Sequence, residues 1–356
     1  MADAKALQAK YQPKSFKVLT PNQQLGCVRF SLDGKLLTAG SFEGTIRRWD
    51  FSADTFAELP AIPGHNGWVQ SVAFHSDNKR LFSADTWGQI AAWPITEKEP
   101  KALWSVKDAH DGWIHAMALS IDGTKLASCG RDTTVRITST ADGKKETIYQ
   151  HPDDVLSLAY HPDGKSLVAG DLKGVIRQWD LASGRVTREF DAKAMFLHDR
   201  LQDVGGVRCF AFDKTGSILV AGGSTPKSGG FVQGSNLVIV YDWQTGKVKH
   251  TLKGAADTEG YVYDMALHVD GFLMAVSSGQ PGNGKLFFQN LDEAAAFVTM
   301  PLANCHALAV HPSGTRLVVC ATNANSAGNG RPKTKNADYP GNFSPLHVLD
   351  FPKAKK

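Results

Sequence analysis

Two short segments, LAYHPDGKSLVAG (158–170) and IRQWD (176–180), contain the pattern from which the fold can be predicted. In the first, an apolar strand leads into a tight polar turn and then into a second apolar strand. Gly164 stands at the turn position where the backbone reaches positive φ, a conformation that glycine adopts freely. The first segment therefore predicts a β-hairpin, and the second predicts a third strand that follows it.

The same hairpin pattern recurs seven times along the 356 residues. Neighbouring turns are roughly 40 to 55 residues apart, and a repeat of this length is typical of a unit of four short strands. The turn position is occupied by glycine or asparagine in every copy, at Gly34, Asn78, Gly123, Gly164, Gly216, Gly271 and Gly314.

A third strand follows each hairpin and usually ends in an aromatic or apolar residue and an acid, as in IRRWD (46–50) and VIVYD (238–242). Together with the Gly64-His65 pair that leads to Trp93, these segments resemble the WD-repeat family, over residues 14–351. The resemblance implies an all-β, seven-bladed β-propeller with four antiparallel strands in each blade.

The seventh unit lacks a fourth strand after Asp350, whereas FKVLT (16–20) precedes the first unit and has no other place. We therefore expect the N-terminal strand to close the ring, because closure leaves few sheet edges open. The predicted organisation is an N-terminal tail (1–13), flexible or a short helix, one propeller (14–351) in which 14–20 complete the last blade, and a basic tail (352–356).

The family's structural network joins a histidine, a serine or threonine, an aspartate and a tryptophan within one blade. We expect no blade here to keep all four, since Trp87 stands where the second blade should have its aspartate and Thr138 replaces the tryptophan of the third. The histidines and acids of the repeat are interpreted as buried hydrogen-bonding groups of the framework.

Composition limits the classes of partner and compartment. The formal net charge is only +4, so no nucleic acid partner is expected. The five cysteines show no C-x-x-C spacing and favour buried, reduced thiols and a cytoplasmic protein. The sequence contains no run of 18 apolar residues, so no membrane association is expected. The alternative is an exported protein in which Met1 replaces a removed signal peptide.

Motifs for catalysis, metals and cofactors give no candidate. Residues 279–285 match G-x-x-x-x-G-K but lead into a strand, so no helix N-terminus is available for a phosphate. Cys305, His306 and His311 are spaced along one strand and cannot share a metal ion. We expect no catalytic residue, no metal and no cofactor, although a propeller active site assembled from several blades would leave no local motif.

Four insertions interrupt the repeat: 191–206, 224–235, 278–284 and 322–344. In a propeller all four emerge on the face that carries the second-to-third strand loops and the blade-to-blade loops, here called the insertion face. All belong to blades 5 to 7 or to the junction before blade 5, and long loops often carry function. The last insertion contains Arg331, Tyr339 and Phe343, and one interpretation is that it becomes ordered on binding an acidic or aromatic-bearing partner. The alternative interpretation is a mobile solvated loop.

Alignment of the seven first strands places two rings of side chains at the insertion face. The outer ring is predicted to be Gln24, Trp68, Trp113, Asp154, Gly206, Tyr261 and Asn304. The inner ring, nearer the channel mouth, is predicted to be Gly26, Gln70, His115, Leu156, Arg208, Tyr263 and His306. Aromatic residues and arginine dominate binding energies in protein interfaces. The alternative is that Trp68 and Trp113 pack between blades.

These patterns predict a non-enzymatic scaffold that binds a protein or peptide on the insertion face, beside the long loops of blades 5 to 7. The alternative is a propeller enzyme, a hydrolase or oxidoreductase, with a small-molecule site at the channel mouth. The predicted partner-binding residues are Trp68, Trp113, His115, Arg208, Phe231, Tyr261, Tyr263, His306, Arg331, Tyr339 and Phe343.

Overall fold

The computed structural model describes residues 4–228, 234–324, 326 and 342–352 and arranges them as a ring of seven four-stranded antiparallel sheets. A helix, α1 (Ala4–Tyr11), and a strand, β1 (Lys14–Leu19), precede the first sheet. Each sheet is one blade of a propeller, which confirms the all-β, seven-bladed fold predicted from the repeats.

The first strand of each blade contacts the first strands of its neighbours around the channel, and the later strands lie progressively further out. Blade 1 contains β2 (Leu25–Phe30), β3 (Leu36–Ser41), β4 (Thr45–Asp50) and β5 (Ala57–Pro63), and blade 2 contains β6 (Val69–Phe74), β7 (Arg80–Asp85), β8 (Ile90–Pro94) and β9 (Trp104–Val106). Blade 3 contains β10 (Ile114–Leu119), β11 (Lys125–Gly130), β12 (Thr134–Ser139) and β13 (Lys145–Gln150), and blade 4 contains β14 (Val155–Tyr160), β15 (Ser166–Asp171), β16 (Val175–Asp180) and β17 (Val186–Asp191).

An additional hairpin, β18 (Phe196–Asp199) and β19 (Gln202–Gly205), separates blade 4 from blade 5. Blade 5 contains β20 (Cys209–Phe212), β21 (Ile218–Pro226), β22 (Gly234–Asp242) and β23 (Val248–Lys253). Blade 6 contains β24 (Tyr261–Leu267), β25 (Phe272–Ser278), β26 (Lys285–Asn290) and β27 (Ala296–Pro301). Blade 7 contains β28 (Cys305–Val310), β29 (Arg316–Ala321) and β30 (Leu346–Asp350), with β1 as its fourth strand.

The ring is closed by β1, which pairs antiparallel with β30 from Lys14 opposite Asp350 to Leu19 opposite Leu346. Closure by the N-terminal strand is therefore confirmed. The Arg316 guanidinium stabilises the pairing of β1 with β30. It is paired with Asp350, with an Nη2–Oδ2 distance of 3.0 Å, and lies 4.8 Å from the centre of the Phe16 ring of β1.

The helix α1 packs against the closed ring between blades 6 and 7. Its Leu7 and Tyr11 are buried among apolar side chains that include Phe272 and Phe351. The Tyr11 hydroxyl donates a hydrogen bond to Asp270 at 2.6 Å. The N-terminal segment thus adds a docked helix to the closing strand.

The apolar core lies between successive blades. One buried cluster joins Val168 and Phe190 of blade 4 to Leu219 and Tyr241 of blade 5, and another joins blade 7 to blade 1 across the closure. Because each blade covers the face of the next, removal of one blade's contacts exposes apolar surface on both sides.

In blades 2, 4 and 7, a histidine before the hairpin turn joins the blade to the next one. The His75, His161 and His311 Nε2–H groups donate to the carbonyl oxygens of Gly123, Gly216 and Gly34, at 2.9, 2.9 and 3.1 Å. Each acceptor belongs to the hairpin turn of the following blade. These histidines are therefore framework groups that repeat with the blades.

Blade 2 contains a complete structural network, so the expectation that no blade keeps all four groups was wrong. His65 contacts Asp85 through Nδ1 at 3.0 Å and Ser83 through Nε2 at 2.6 Å, and Trp93 Nε1–H donates to Ser83 at 2.7 Å. The acid is Asp85, at the end of β7, two residues before Trp87. The sequence pattern did not indicate this acid because it lies two residues before the position that the family usually uses.

Blades 3 and 4 keep parts of the same network. In blade 3, His110 contacts Ser128 and Asp132, while Thr138 replaces the tryptophan as expected. In blade 4 the Nδ1 of His151 lies 3.1 Å from Asp171, another acid at the end of a strand. Both histidines are buried, and burial lowers the pKa of His110 below its ordinary value.

The first two insertions form ordered strands where the sequence suggested loops. Residues 193–195 form a 3-10 helix, and β18 and β19 pair in register from Phe196 opposite Gly205 to Asp199 opposite Gln202. The second insertion extends β21 and β22 beyond the neighbouring blades, with Pro226 opposite Gly234. Ser228 donates to Asp199 at 2.9 Å, so the two projections support each other.

Candidate functional site

The insertion face contains a cavity of about 620 Å³ at the mouth of the channel. All seven positions of the predicted inner ring line it: Gly26, Gln70, His115, Leu156, Arg208, Tyr263 and His306. Three positions of the predicted outer ring, Gln24, Trp113 and Asn304, line it as well. The bulge at the start of most inner strands, as between Leu25 and Cys27, turns these side chains toward the channel.

A row of three aromatic residues, the half-buried Phe42 and the exposed Trp68 and Trp113, lies at the rim of this cavity on blades 1 to 3 and is called the aromatic row. The Phe42 and Trp68 rings are stacked, with centres 4.4 Å apart and planes 5° apart. Trp68 makes an edge contact with Trp113 at 5.8 Å, and Trp113 lies 6.1 Å from the His115 ring. Trp68 is still 42% exposed and Trp113 39% exposed.

The aromatic row agrees in part with both interpretations of Trp68 and Trp113 that the sequence left open, an exposed binding surface and packing between blades. Trp68 and Trp113 do pack across the boundary between blades, but they do so at the surface and remain open to solvent. Sequence reasoning missed Phe42, which stacks on Trp68, and did not assign the exposed Trp87 to the surface. Both follow the second strand of their blade, in the turn where the repeat usually has a small or polar residue.

Tyr261 differs from the expectation of an exposed ring. Only 4% of it is exposed, and burial raises the pKa of its hydroxyl. The Arg208 guanidinium lies over this ring at 4.9 Å. Tyr263 contacts Tyr261 at 5.8 Å between ring centres and remains exposed in the cavity. Tyr261 therefore supports Arg208 and Tyr263 from below.

An ion pair that the sequence reasoning missed lies at the cavity wall. Arg29 Nη1 donates to Asp264 Oδ2 at 2.7 Å, and the Leu308 backbone N–H donates to the same oxygen at 3.0 Å. The pair joins blades 1, 6 and 7, and the Asp264 charge raises the pKa of Arg29. The signal was present in the repeat, because the other six first strands have alanine at the position of Arg29: Ala73, Ala118, Ala159, Ala211, Ala266 and Ala309.

His306 and Cys320 form the one pair at the cavity that suggests nucleophilic chemistry among the described residues. The Cys320 sulfur lies 3.6 Å from His306 Nε2, but that nitrogen already donates to the Leu25 carbonyl oxygen at 2.9 Å. Burial raises the pKa of the Cys320 thiol and lowers that of His306. A buried neutral thiol is a poor nucleophile, so the pair serves as packing and hydrogen bonding.

Other polar groups at the site are also engaged. His115 Nε2 lies 3.0 Å from an Asp154 carboxylate oxygen. Lys285, the lysine of the phosphate-loop-like segment, donates to Glu259 at 2.6 Å. Within the described ranges no group of three histidine, cysteine or acidic side chains is close enough to hold a metal ion.

The predicted residues on the long loops are only partly described. Phe231, Arg331 and Tyr339 lie outside the described residues. Phe343 is half-buried, and its backbone exchanges hydrogen bonds with Asn323: Phe343 N–H donates to Asn323 Oδ1 at 3.1 Å, and Asn323 N–H donates to the Phe343 carbonyl at 3.0 Å. These bonds fix the two ends of the last insertion next to each other.

The first four blades carry a recognisable family signature. The family described as "WD domain, G-beta repeat" matches residues 14–50, 57–93, 102–139 and 143–180. Each match begins at or near the fourth strand of one blade and ends with the third strand of the next. The chain belongs to the WD-repeat family. In this WD-repeat protein the matches stop before the insertions of blades 5 to 7.

Curated relatives share the repeat at low identity. The WD-repeat protein is 27% identical to human U3 small nucleolar RNA-associated protein 4 homolog over 71% of its own length and 35% of the relative. It is 25% identical to mouse Telomerase protein component 1, over 85% of its own length and 10% of the relative. It is 28% identical to Arabidopsis thaliana Periodic tryptophan protein 2, over 45% of its own length and 22% of the relative. The chain thus spans about a third or less of these relatives.

Proposed function

We propose that this WD-repeat protein is a non-enzymatic scaffold that binds a protein or peptide on its insertion face. The observation that carries the proposal is the aromatic row of Phe42, Trp68 and Trp113 at the rim of the cavity. Exposed stacked aromatic rings beside a concave surface are typical of the centre of a protein interface.

The rigidity of the framework supports this function. The rim residues stand on short turns held by strand pairing and by side-chain bonds, such as the Trp68 backbone N–H that donates to Thr86 Oγ1 at 3.0 Å. A preformed surface loses little conformational entropy when it binds. The ordered projections of blade 5 and the neighbouring hairpin stand on the same face, across the cavity from the aromatic row.

RNA is the alternative partner, because two relatives are named for a small nucleolar RNA and for telomerase. The modest net charge of +4 argues against it, since non-specific nucleic acid binding depends on clustered cations. Retention on an RNA column that falls steeply with salt concentration would favour this alternative.

The five buried, free cysteines support a reducing compartment for the scaffold, such as the cytoplasm. The one α-helix in the described part of the chain has eight residues, too few to cross a membrane. We place the protein in the cytoplasm as part of the same proposal.

The test compares two double variants that remove exposed apolar side chains from opposite faces. Trp68→Ala with Trp113→Ala alters the aromatic row. Leu32→Ala with Ile121→Ala is the control, because these side chains are 54% and 57% exposed on hairpin turns of the opposite face. The measurement is quantitative mass spectrometry of proteins captured from an extract of the source cells.

The proposal predicts that proteins enriched by the wild type are kept by the control and lost at least tenfold by the tryptophan variant. Thermal unfolding of each variant establishes that the ring is intact. Equal capture by the tryptophan variant and the wild type would contradict the proposal.

A further inference from the structure

Arg208 differs from the other arginines in the partners of its guanidinium. Every other half-buried or buried arginine of the described residues binds a carboxylate or a set of carbonyl oxygens. Arg29 is paired with Asp264, and Arg48 donates to the carbonyl oxygens of Pro60, Glu97 and Lys98. Arg208 is half-buried, and its Nε is buried without a hydrogen-bond partner among the described residues.

The position of Arg208 is fixed by its surroundings. Its backbone N–H donates to the Gly222 carbonyl oxygen at 2.8 Å, which anchors it beside β21. Its guanidinium lies 4.9 Å from the centre of the buried Tyr261 ring. The aromatic face stabilises the cation and holds its plane, and the Tyr261 side chain also forms a hydrogen bond with Arg208, but the buried Nε donor stays without a partner among the described residues. The side chain is therefore held in place with its Nε donor still unfilled.

The cavity supplies no free carboxylate to Arg208 from its described residues. Among the described residues, Asp264 is the one acid that lines the cavity, and it is bound to Arg29 and to the Leu308 N–H group. Asp154, at the rim, contacts His115. The described wall therefore carries one positive charge that no described carboxylate pairs with, at Arg208, and a buried Nε donor without an acceptor is costly.

We propose that Arg208 binds the carboxylate of an aspartate or glutamate that the partner inserts into the cavity. This inference rests on the proposed function and specifies the chemistry of the partner. A carboxylate matches one guanidinium in charge and in its paired acceptors. A phosphate dianion usually requires several cations, and no second unpaired cation lines the described wall.

The experiment selects a displayed library of random dodecapeptides on the immobilised full chain. The enriched peptides are synthesised, and their affinity is measured by fluorescence anisotropy. The protein variants are Arg208→Gln, Arg208→Lys and the exposed control Arg185→Gln. The peptide variants replace the shared acid by glutamine or by phosphoserine.

We expect the enriched peptides to share an aspartate or glutamate. Arg208→Gln and replacement of the acid by glutamine should each lower affinity at least tenfold, without a further loss when the two are combined. Arg208→Lys should recover part of the affinity, and Arg185→Gln should have no effect.

Three results would overturn the inference: enriched peptides without a shared acid, wild-type affinity in Arg208→Gln, or tighter binding of the phosphoserine peptide. If the peptides that give one of these three results still lose affinity in the Trp68→Ala, Trp113→Ala variant, the proposed function stands and only the carboxylate assignment fails. If no peptide depends on either Arg208 or the tryptophans, both proposals fail.

Discussion

At the scale of single residues, two buried acids take the place of the aspartate that the family usually has in the turn. Asp85 and Asp171 stand at the ends of β7 and β15, opposite the first residues of their inner strands, Val69 and Val155. Both carboxylates are fully buried beside a histidine. The sequence showed these acids, but only the fold shows that a carboxylate two residues earlier reaches the same histidine.

The first prediction concerns Asp85, which accepts from His65 and from the backbone N–H groups of Gly67, Trp87 and Gln89. Asp85→Ala should lower the free energy of unfolding by about 2–4 kcal/mol, because several buried donors lose their acceptor. Trp87→Ala should change it by less than about 0.5 kcal/mol, since Trp87 is exposed. Urea unfolding measures both, and the reverse order would refute the assignment.

The second prediction concerns pH. Burial lowers the pKa of His110, His306 and His311 below the ordinary histidine value. Between about pH 6.5 and the lower folded-state pKa, the unfolded chain therefore binds more protons than the folded one, and stability falls as the pH falls. We expect the thermal midpoint to decrease from pH 7.5 to pH 5, and His306→Gln to reduce that decrease. A midpoint that is unchanged over this range would contradict the prediction.

At the scale of elements, the β18–β19 hairpin is the part that the sequence described least well. Its turn residues, Arg200 and Leu201, both have positive φ, at 51° and 61°, where an asparagine-glycine pair is usual. Without that pair the segment showed no hairpin signal. Leu201 is 93% exposed at the tip of the hairpin. This apolar residue therefore does not belong to an alternation of buried and exposed positions that would have predicted a strand.

The third prediction follows from this turn. Replacement of Arg200-Leu201 by Asn-Gly should stabilise the hairpin by about 1 kcal/mol, because glycine and asparagine tolerate positive φ. Hydrogen exchange should slow at the paired amides around Leu197 and Val204. The exchange of blade 2 amides serves as the internal control and should not change. Faster exchange in the hairpin would show that the turn is not strained.

At the scale of the whole molecule, the repeat predicted the seven blades, the closing strand and the inner ring, because these depend on a period that seven copies reinforce. It predicted less about features that break the period. The stacking of Phe42 on Trp68 joins two blades, and the Arg29–Asp264 pair joins residues 235 positions apart. Such contacts form only when the blades assemble into the ring. An alignment of the repeats compares equivalent positions, so it cannot show which residues of different blades touch.

The fourth prediction concerns closure. Deletion of residues 1–20 removes β1 and α1, so blade 7 loses its outer strand and the Arg316 contact with Phe16 is lost. We expect a strong decrease in the thermal midpoint of the whole ring. Deletion of residues 1–12 alone is the matched control and should have a smaller effect, because β1 remains. Equal midpoints for the wild type and the longer deletion would refute closure by β1.

In the proposed complex, a partner covers the aromatic row on the insertion face. The most direct measurement is hydroxyl-radical footprinting of the protein alone and in the complex with its captured partner. We expect oxidation of Trp68 and Trp113 to slow severalfold in the complex, while oxidation of Leu32 and Ile121, which are more exposed in the free protein, is unchanged. Unchanged oxidation of both tryptophans, with protection of Leu32 and Ile121, would contradict the proposal.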